Sequence, residues 1–250
     1  MSEKVLARTL GVLEAFAGNS RPLSMSEIAQ LTATPAASCA RLLRSLVQVG
    51  LLRELAQGRR YCPTGRLATM AEALSGFNPW PALLADELQR LAHASGETVV
   101  LGVRQHLSVR TLAVVESPQS IRYCVEVGAP RPLHASSMGK ALLAALSPAQ
   151  RGALLAQIEF KRFTAATLVS RSALEADLAA GAQRGWYTNL EETQPGVAAL
   201  AAPLGGQHDG DEPLGVALVG PAARVVPALD ALGKQLRAAC RRMEKILREA

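Results

Sequence analysis

The stretch 24–50 constrains the chain most, because its pattern predicts two short helices separated by a tight turn. Ser24 or Ser26 can cap the first helix, and Glu27 can complete a capping box. Pro35 suits the first turn of the second helix, where a missing N–H is tolerated. Apolar residues at spacings of three and four predict one buried stripe along the second helix, made of Cys39, Leu42, Leu43 and Leu46.

The opposite face of the second helix is predicted to be exposed, and it carries Ala36, Ala37, Ser38, Ala40, Arg41 and Arg44. A short helix followed by one with arginines on its outer face is typical of a helix-turn-helix, whose second helix enters the major groove of DNA. The alternative is an ordinary helical hairpin, in which Arg41 pairs with an acid of its own domain. Because alanine offers no hydrogen bond to a base edge, we expect this surface to depend on backbone contacts and DNA shape.

A β-hairpin is predicted directly after these helices. Residues 51–55 and 61–63 have the composition of strands, and the turn between them contains Gly58, Arg59 and Arg60. A hairpin that follows a helix-turn-helix is typical of a winged helix, whose wing arginines can reach phosphate. The predicted DNA-binding residues are therefore those of the exposed helix face together with Ser26, Thr34, Arg59 and Arg60.

The distribution of charge favours the same interpretation. Residues 1–76 contain nine Lys and Arg against five Asp and Glu, which gives +4 of the chain's net charge of +6. Such an excess is typical of a nucleic-acid-binding domain. The segment 75–79, rich in helix breakers, predicts a DNA-binding domain at 1–78, a linker helix at 79–95 and a further domain at 96–250. The apolar side of the linker helix could pack on its own domain or on a partner chain.

Beyond residue 96 the sequence alternates between strand and helix periodicity. Strands are predicted at 98–103, 108–115, 121–127, 186–190, 197–203 and 214–219. Helices are predicted at 137–146, 148–158, 172–184 and 224–248, and loops at 128–134 and 205–212. This mixture predicts an α+β domain, in which helices flank an antiparallel sheet.

The whole chain resembles the IclR family of bacterial transcription regulators. Five stretches carry the resemblance in the family's order: PLSMSEIAQ, RLLRSLVQVGLL, GAPRPLHASSMGKALLA, RGWYTNLEETQPGVAALAAPL and LGVALVGPAAR. The resemblance implies an N-terminal winged helix-turn-helix, a linker helix and a C-terminal effector-binding domain of GAF-like fold. It also implies homodimers, often paired into dimers of dimers, that bind double-stranded operator DNA. Such proteins respond to a small organic effector, more often as repressors than as activators.

The loop 134–140 runs into a helix start, where free backbone N–H groups suit a carboxylate or phosphate. The alternative is a plain N-cap formed by Ser136 or Ser137. The resemblance implies instead that this segment lines the effector pocket, together with the turn 189–192 and two later strands. The predicted effector-binding residues are His134, Ser136, Ser137, Met138, Gly139, Glu192, Ala199, Ala201, Ala217 and Val219.

The floor of the pocket is predicted to be apolar. The resemblance implies Cys or Ser at floor positions in many members of the family, where this chain has alanine or valine. An apolar floor predicts an effector with an aromatic or alkyl body, whose acidic end the loop 134–139 would hold. The alternative is that these residues are core packing without a cavity.

Enzymatic and metal chemistry have little support in the sequence. Ser137 and Lys140 have the Ser-x-x-Lys spacing of serine β-lactamases, but the SDN and KTG motifs of those enzymes are absent. The four histidines form no i,i+4 pair and the four cysteines no CxxC pair, so no metal or cofactor is predicted.

No apolar run reaches the length of a membrane span and no signal peptide is recognisable, so we expect a cytoplasmic, non-enzymatic protein. Two alternatives stay open. One is a hydrolase that uses Ser137. The other is a small-molecule sensor whose DNA contacts are lost, which the alanines at 36, 37 and 40 favour.

Overall fold

The computed structural model describes residues 3–19, 21–55, 59–75, 78–205 and 213–249. It divides the chain into an N-terminal unit, Met1–Asn78, and a C-terminal unit, Pro79–Ala250. Residues 56–58 of the predicted wing turn and residues 206–212 of the predicted loop lie outside the described residues. Among the helices that are described, none is long and apolar enough to cross a membrane.

The N-terminal unit combines helices with a small antiparallel sheet. Its helices are α1 (Glu3–Ala17), α2 (Met25–Leu31), α3 (Ala36–Gln48) and α4 (Gly65–Ser75). Its strands are β1 (Leu23–Ser24), β2 (Leu52–Leu55) and β3 (Arg60–Pro63), in the sheet order β1-β3-β2. Because the hairpin of β2 and β3 directly follows α2 and α3, the unit is a winged helix-turn-helix, as predicted.

The apolar stripe of α3 lies at the centre of this unit. Cys39, Leu43 and Leu46 are buried and Leu42 is half-buried. They pack against apolar residues of α1, α2 and the sheet, namely Val12, Phe16, Leu23, Ile28, Leu52 and Tyr61. The helical period then turns the opposite face of α3 outward.

Ser24, rather than Ser26, caps α2. Its Oγ accepts a hydrogen bond from the Glu27 N–H at 3.3 Å, and Glu27 Oε2 accepts one from the Ser24 N–H at 2.7 Å. The bond from the Ser24 N–H, with smaller contributions from the Ser24 hydroxyl and Arg21, lowers the pKa of Glu27 to about 2. These reciprocal bonds form a capping box that fixes the start of the helix-turn-helix.

Ser24→Ala is expected to lower the free energy of unfolding of the N-terminal unit by about 1 kcal/mol, because the Glu27 N–H loses its acceptor. Ser26→Ala is the matched control, since Ser26 is exposed and lies inside the helix. We expect the control to change the free energy by less than about 0.5 kcal/mol. Urea unfolding measures both variants, and equal losses would contradict the assignment of the cap.

The C-terminal unit contains a six-stranded antiparallel sheet in the order β6-β5-β4-β9-β8-β7. The strands are β4 (Thr98–Gln105), β5 (Ser108–Val115), β6 (Pro130–Pro132), β7 (Tyr187–Leu190), β8 (Val197–Leu204) and β9 (Leu214–Pro221). The helices are α5 (Trp80–Ser95), α6 (Ser137–Ala145), α7 (Pro148–Leu155), α8 (Arg171–Arg184), α9 (Ala222–Val225) and α10 (Leu229–Glu249). This is the α+β architecture that the sequence predicts.

Helices cover both faces of this sheet. On one face α5 and α10 contribute Leu88 and Leu236, which belong to the same core as Leu218 of β9. On the other face α6 contributes Leu142, which belongs to the same core as Ala217. Helix α5 stands at the place of the predicted linker, and its apolar side is buried within its own unit. The long predicted helix at 224–248 is interrupted by a 3-10 turn at Val226–Ala228, which contains a proline.

The prediction of a strand at 121–127 is wrong. These residues form neither helix nor strand, and β6, inside the predicted loop 128–134, lies beside β5 at the sheet edge. Pro130 and Pro132 have no N–H to donate, which an edge strand tolerates because only one of its sides is paired. Arg131 stands between the two prolines, opposite Val109 of β5.

Candidate functional site

The exposed face of α3 is the first candidate site. Ala36, Ala37, Arg41 and Arg44 are exposed, and Ser38 and Ala40 are half-exposed. Arg44 Nε lies 3.4 Å from the Ala40 carbonyl oxygen, to which it donates along the helix. Among the described residues of this unit, the ion pairs do not involve Arg41, so the alternative of an intradomain Arg41 pair finds no support.

Two of the predicted DNA-binding residues are engaged within the unit. Thr34 is only 5% exposed, and its hydroxyl donates to the Thr32 carbonyl oxygen at 3.2 Å, so its side chain closes the turn and is not presented to DNA. Arg60 Nη1 donates to the Pro22 carbonyl oxygen at 3.0 Å and lies 3.7 Å from Glu27 Oε2. Ser26 and Arg59 are exposed. The prediction that Thr34 contacts DNA is thus wrong. The Arg60 side chain is held by contacts within its own domain.

The second candidate site is a cavity in the C-terminal unit, between the start of α6 and one face of the sheet. Its cavity volume is about 60 Å³, and the cavity opens to solvent. Six predicted residues line it, namely Ser136, Ser137, Met138, Ala199, Ala217 and Val219. The alternative of core packing without a cavity therefore finds no support at these positions.

Four predicted effector-binding residues do not line the cavity, and two of them shape the loop before α6. His134 is 3% exposed, its Nε2 lies 2.9 Å from the Lys161 carbonyl oxygen, and its ring stacks on Phe163. A Cβ at Gly139 would overlap the backbone of Leu133, so this position requires glycine for close approach of two chain segments. Both residues therefore position the loop rather than face a ligand.

The other two are Ala201, which is fully buried in the core behind the cavity, and Glu192. Glu192 Oε1 lies 2.5 Å from the Lys140 ammonium, which is 1% exposed and also lies 2.8 Å from Asp177 Oδ2. The same ammonium donates to the Thr188 carbonyl oxygen at 2.9 Å. Burial raises the pKa of the Glu192 carboxyl, and the charge of Lys140 opposes that rise.

This ion cluster of Lys140, Asp177 and Glu192 connects two walls of the cavity. Lys140 belongs to α6, which begins at the cavity, and Glu192 follows β7. Asn189 lines the cavity and accepts a hydrogen bond from the Glu192 N–H at 2.7 Å. Glu192 is therefore a structural support of the cavity and is not in contact with its interior.

Sequence reasoning missed seven residues that line the cavity: Val100, Val109, Thr111, Tyr123, Val125, Arg131 and Thr193. Asn189 and Val197 also line it; they lie in segments predicted to border the pocket but were not among the predicted site residues. Those on β5 are spaced by two, and strand alternation could have assigned them to one face of the sheet. Tyr123 and Val125 lie in the segment that was predicted to be a strand. The signal for Arg131 was weak, because a proline on each side predicts a loop.

Polar groups gather at the start of α6. Ser136 is the N-cap, since its Oγ accepts from the Gly139 N–H at 3.1 Å and donates to the Pro132 carbonyl oxygen at 2.6 Å. The N–H groups of Ser137 and Met138 precede the first intrahelical hydrogen bonds of α6, so they are available to a ligand. The N-cap interpretation and the cavity therefore coexist in one segment.

Hydrolysis and metal binding are not supported by this geometry. The ammonium of Lys140 is held by Glu192, Asp177 and the Thr188 carbonyl, so it is not free to act as a base for Ser137. Within the described ranges, no group of three or more His, Cys, Asp or Glu residues could hold a metal ion.

Two family models match the chain. Residues 82–245 match the model described as bacterial transcriptional regulator IclR C-terminal, and residues 5–56 match the IclR helix-turn-helix domain. The chain belongs to the IclR family. It is a transcription regulator with a helix-turn-helix DNA-binding domain and a C-terminal effector-binding domain, and it is not an enzyme.

Named relatives agree with this assignment. The glycerol operon regulatory protein of Streptomyces griseus is 31% identical over 224 residues, which cover 89% of this chain and 86% of that protein. The transcriptional repressor IclR of Escherichia coli K12 is 30% identical over 223 residues, which cover 88% and 81%. An IclR homologue from Microbacterium hydrocarbonoxydans, solved in complex with 4-hydroxybenzoate, shares the fold with a TM-score of 0.62 at 24% identity, covering 98% of this chain and 100% of that one.

Proposed function

We propose that this protein is a cytoplasmic repressor whose affinity for operator DNA changes when the cavity binds a small organic acid with an aromatic or alkyl body. The observation that carries the proposal is the composition of the cavity. Its floor is apolar, at Ala199, Ala217 and Val219, and polar groups gather at the start of α6. A concave site with apolar walls and few polar groups suits a small organic ligand. The homologue complexed with 4-hydroxybenzoate supports an aromatic acid.

In this proposal the exposed face of α3 enters the major groove, and residues 1–78, 79–95 and 96–250 act as DNA-binding domain, linker helix and effector domain. The protein works as a homodimer, or as a dimer of dimers, on a two-fold operator. Exposed apolar residues of α1 favour a contact with a partner chain, since Val5, Leu6 and Leu10 are 41%, 51% and 60% exposed. An effector that binds one arrangement of the dimer more tightly shifts the population toward it and so changes DNA affinity.

The test combines ligand and DNA binding on the full-length protein. A thermal-shift screen of aromatic and aliphatic acids identifies ligands, because a ligand that binds only the native state raises the melting temperature. Gel-shift titration against the region upstream of the protein's own gene then measures DNA affinity with and without the ligand. We expect a change of about 5- to 150-fold. Deletion of the gene is expected to raise transcription of its target, as for a repressor.

Other outcomes separate the alternatives. Ligand binding without any DNA binding would favour a sensor that has lost its DNA contacts, which the alanines at 36, 37 and 40 already suggest. DNA binding that no acid of the screen alters would contradict the proposed effector class.

A further inference from the structure

Arg131 lies in the cavity without an acidic partner. Among the described residues that line the cavity it is the charged one. Its Nη1 donates to the Tyr123 hydroxyl at 3.0 Å, and its guanidinium carbon lies 5.7 Å from the centre of the Tyr123 ring. The ion pairs found in the described parts of this unit do not include it. A half-buried guanidinium that faces neutral walls leaves its charge uncompensated until an anion binds.

We infer that Arg131 holds the carboxylate of the effector and selects for monoanions, an inference that rests on the proposed function. Guanidinium carries five N–H donors in a planar fork that matches a carboxylate with two parallel hydrogen bonds. Tyr123 uses one of these donors. The acidic end of the ligand therefore lies at Arg131 on β6. The loop 134–139 offers neutral backbone N–H groups rather than a positive charge, and its His134 and Gly139 have contacts inside the protein.

The strand β6 holds Arg131 in place. Pro130 and Pro132 fix the backbone on both sides, because the proline ring restricts φ. The register places Arg131 opposite Val109, which also lines the cavity. The guanidinium is thus presented from a rigid edge of the sheet, which reduces the cost of ordering it when a ligand binds.

The opposite end of the cavity disfavours a second negative charge. Near β7, at the other edge of the sheet from β6, it offers the neutral side chains of Asn189 and Thr193. The nearby ammonium of Lys140 is already shared by two carboxylates, those of Glu192 and Asp177. A second carboxylate on the ligand would therefore lack a cationic partner, whereas a hydroxyl could bond to the neutral groups. The ligand class that fits is an apolar monocarboxylate, with or without a hydroxyl at its far end.

Matched pairs of acids and amides test this inference on the full-length protein. The probes are benzoate, 4-hydroxybenzoate and phenylacetate, each with its carboxamide, and terephthalate as the dianion. Thermal shift and calorimetric titration are measured for wild type, Arg131→Met and Arg131→Lys. The control is Arg122→Met, because Arg122 is exposed, pairs with Glu116 and does not line the cavity.

Wild type is expected to bind at least one of the acids. It should bind the matching carboxamide, and also terephthalate, at least 10-fold more weakly than that acid. Arg131→Met is expected to lose about 10- to 150-fold in acid affinity with the amide unaffected, which is the range for hydrogen bonds to a charged group. Arg131→Lys, which keeps the charge but not the fork, should lose less. Arg122→Met should bind as wild type does. The melting temperature without ligand shows that the variants are folded.

Three kinds of result would overturn the inference, and they differ in which part of it, or of the proposed function, they contradict. Equal binding of acid and amide, or acid binding unchanged in Arg131→Met and Arg131→Lys, would remove the anchor while the effector cavity stands. Tighter binding of terephthalate than of benzoate would remove the selection for monoanions. Failure of every acid and amide to bind would contradict the proposed ligand class and the anchor with it.

Discussion

Replacing Lys140 by methionine is expected to lower the free energy of unfolding of the C-terminal unit by about 3–5 kcal/mol, as is typical when one partner of a buried ion pair is removed. The ammonium is 1% exposed and lies within 2.8 Å of both Glu192 and Asp177. Methionine fills a similar volume but leaves these carboxylates without their counter-ion. Urea unfolding at neutral pH, followed by the fluorescence of the buried Trp186, measures the loss.

The loss should also depend on pH. The pKa of Glu192 is raised by burial, and the charge of Lys140 opposes that rise. A raised pKa means that the folded state binds the proton more tightly, so stability falls as pH rises from the unfolded pKa through the folded one. Removal of Lys140 raises the folded pKa further and extends this fall to higher pH. We therefore expect Lys140→Met to cost more at pH 7.5 than at pH 5.

The control is Lys245→Met. Lys245 is a surface residue of α10, 73% exposed and 3.9 Å from Glu249. An exposed pair of this kind contributes little, so the control should change the free energy by less than about 0.5 kcal/mol at either pH. If Lys140→Met cost no more than the control, the ion cluster would not be a support of the cavity.

The N-terminal unit could be predicted from the sequence because its signals are local. The apolar stripe of α3 repeats every three or four residues, and the capping box of α2 spans only four. What the sequence could not tell was which of Ser24 and Ser26 is the cap, since both precede an apolar run. The burial of Thr34 also escaped prediction, because it follows from how the turn closes over α2 and not from composition.

The lining of the cavity could be predicted only in part, and the residues that were wrongly assigned to it have a feature in common. The resemblance to the family assigned Ala199, Ala201, Ala217 and Val219 to the pocket, but it could not tell that Ala201 is covered. His134 and Glu192 were assigned to the ligand because they lie in the right segments. Their partners stand 27 and 52 residues away, at the Lys161 carbonyl and at Lys140, and no local pattern reports such contacts.

Arg41→Ala/Arg44→Ala is expected to weaken operator binding about 30-fold or more, on the estimate of about 1–3 kcal/mol for each arginine that reads a base. Both side chains are exposed on the outer face of α3, and neither takes part in the ion pairs described for the N-terminal unit. The neighbouring alanines add no hydrogen bonds, so the two arginines should carry a large share of the affinity. Gel-shift titration at two salt concentrations measures the loss.

Binding to operator DNA and to random DNA can be compared to tell whether these arginines read bases or contact phosphates. If they read bases, the loss is larger on the operator than on random DNA, whereas phosphate contacts weaken both equally and reduce the salt dependence. Arg60→Ala is the matched control, because Arg60 donates to the Pro22 carbonyl and lies near Glu27, so its removal should cost much less DNA affinity. Affinity unchanged in the double variant would mean that this face of α3 does not meet the duplex.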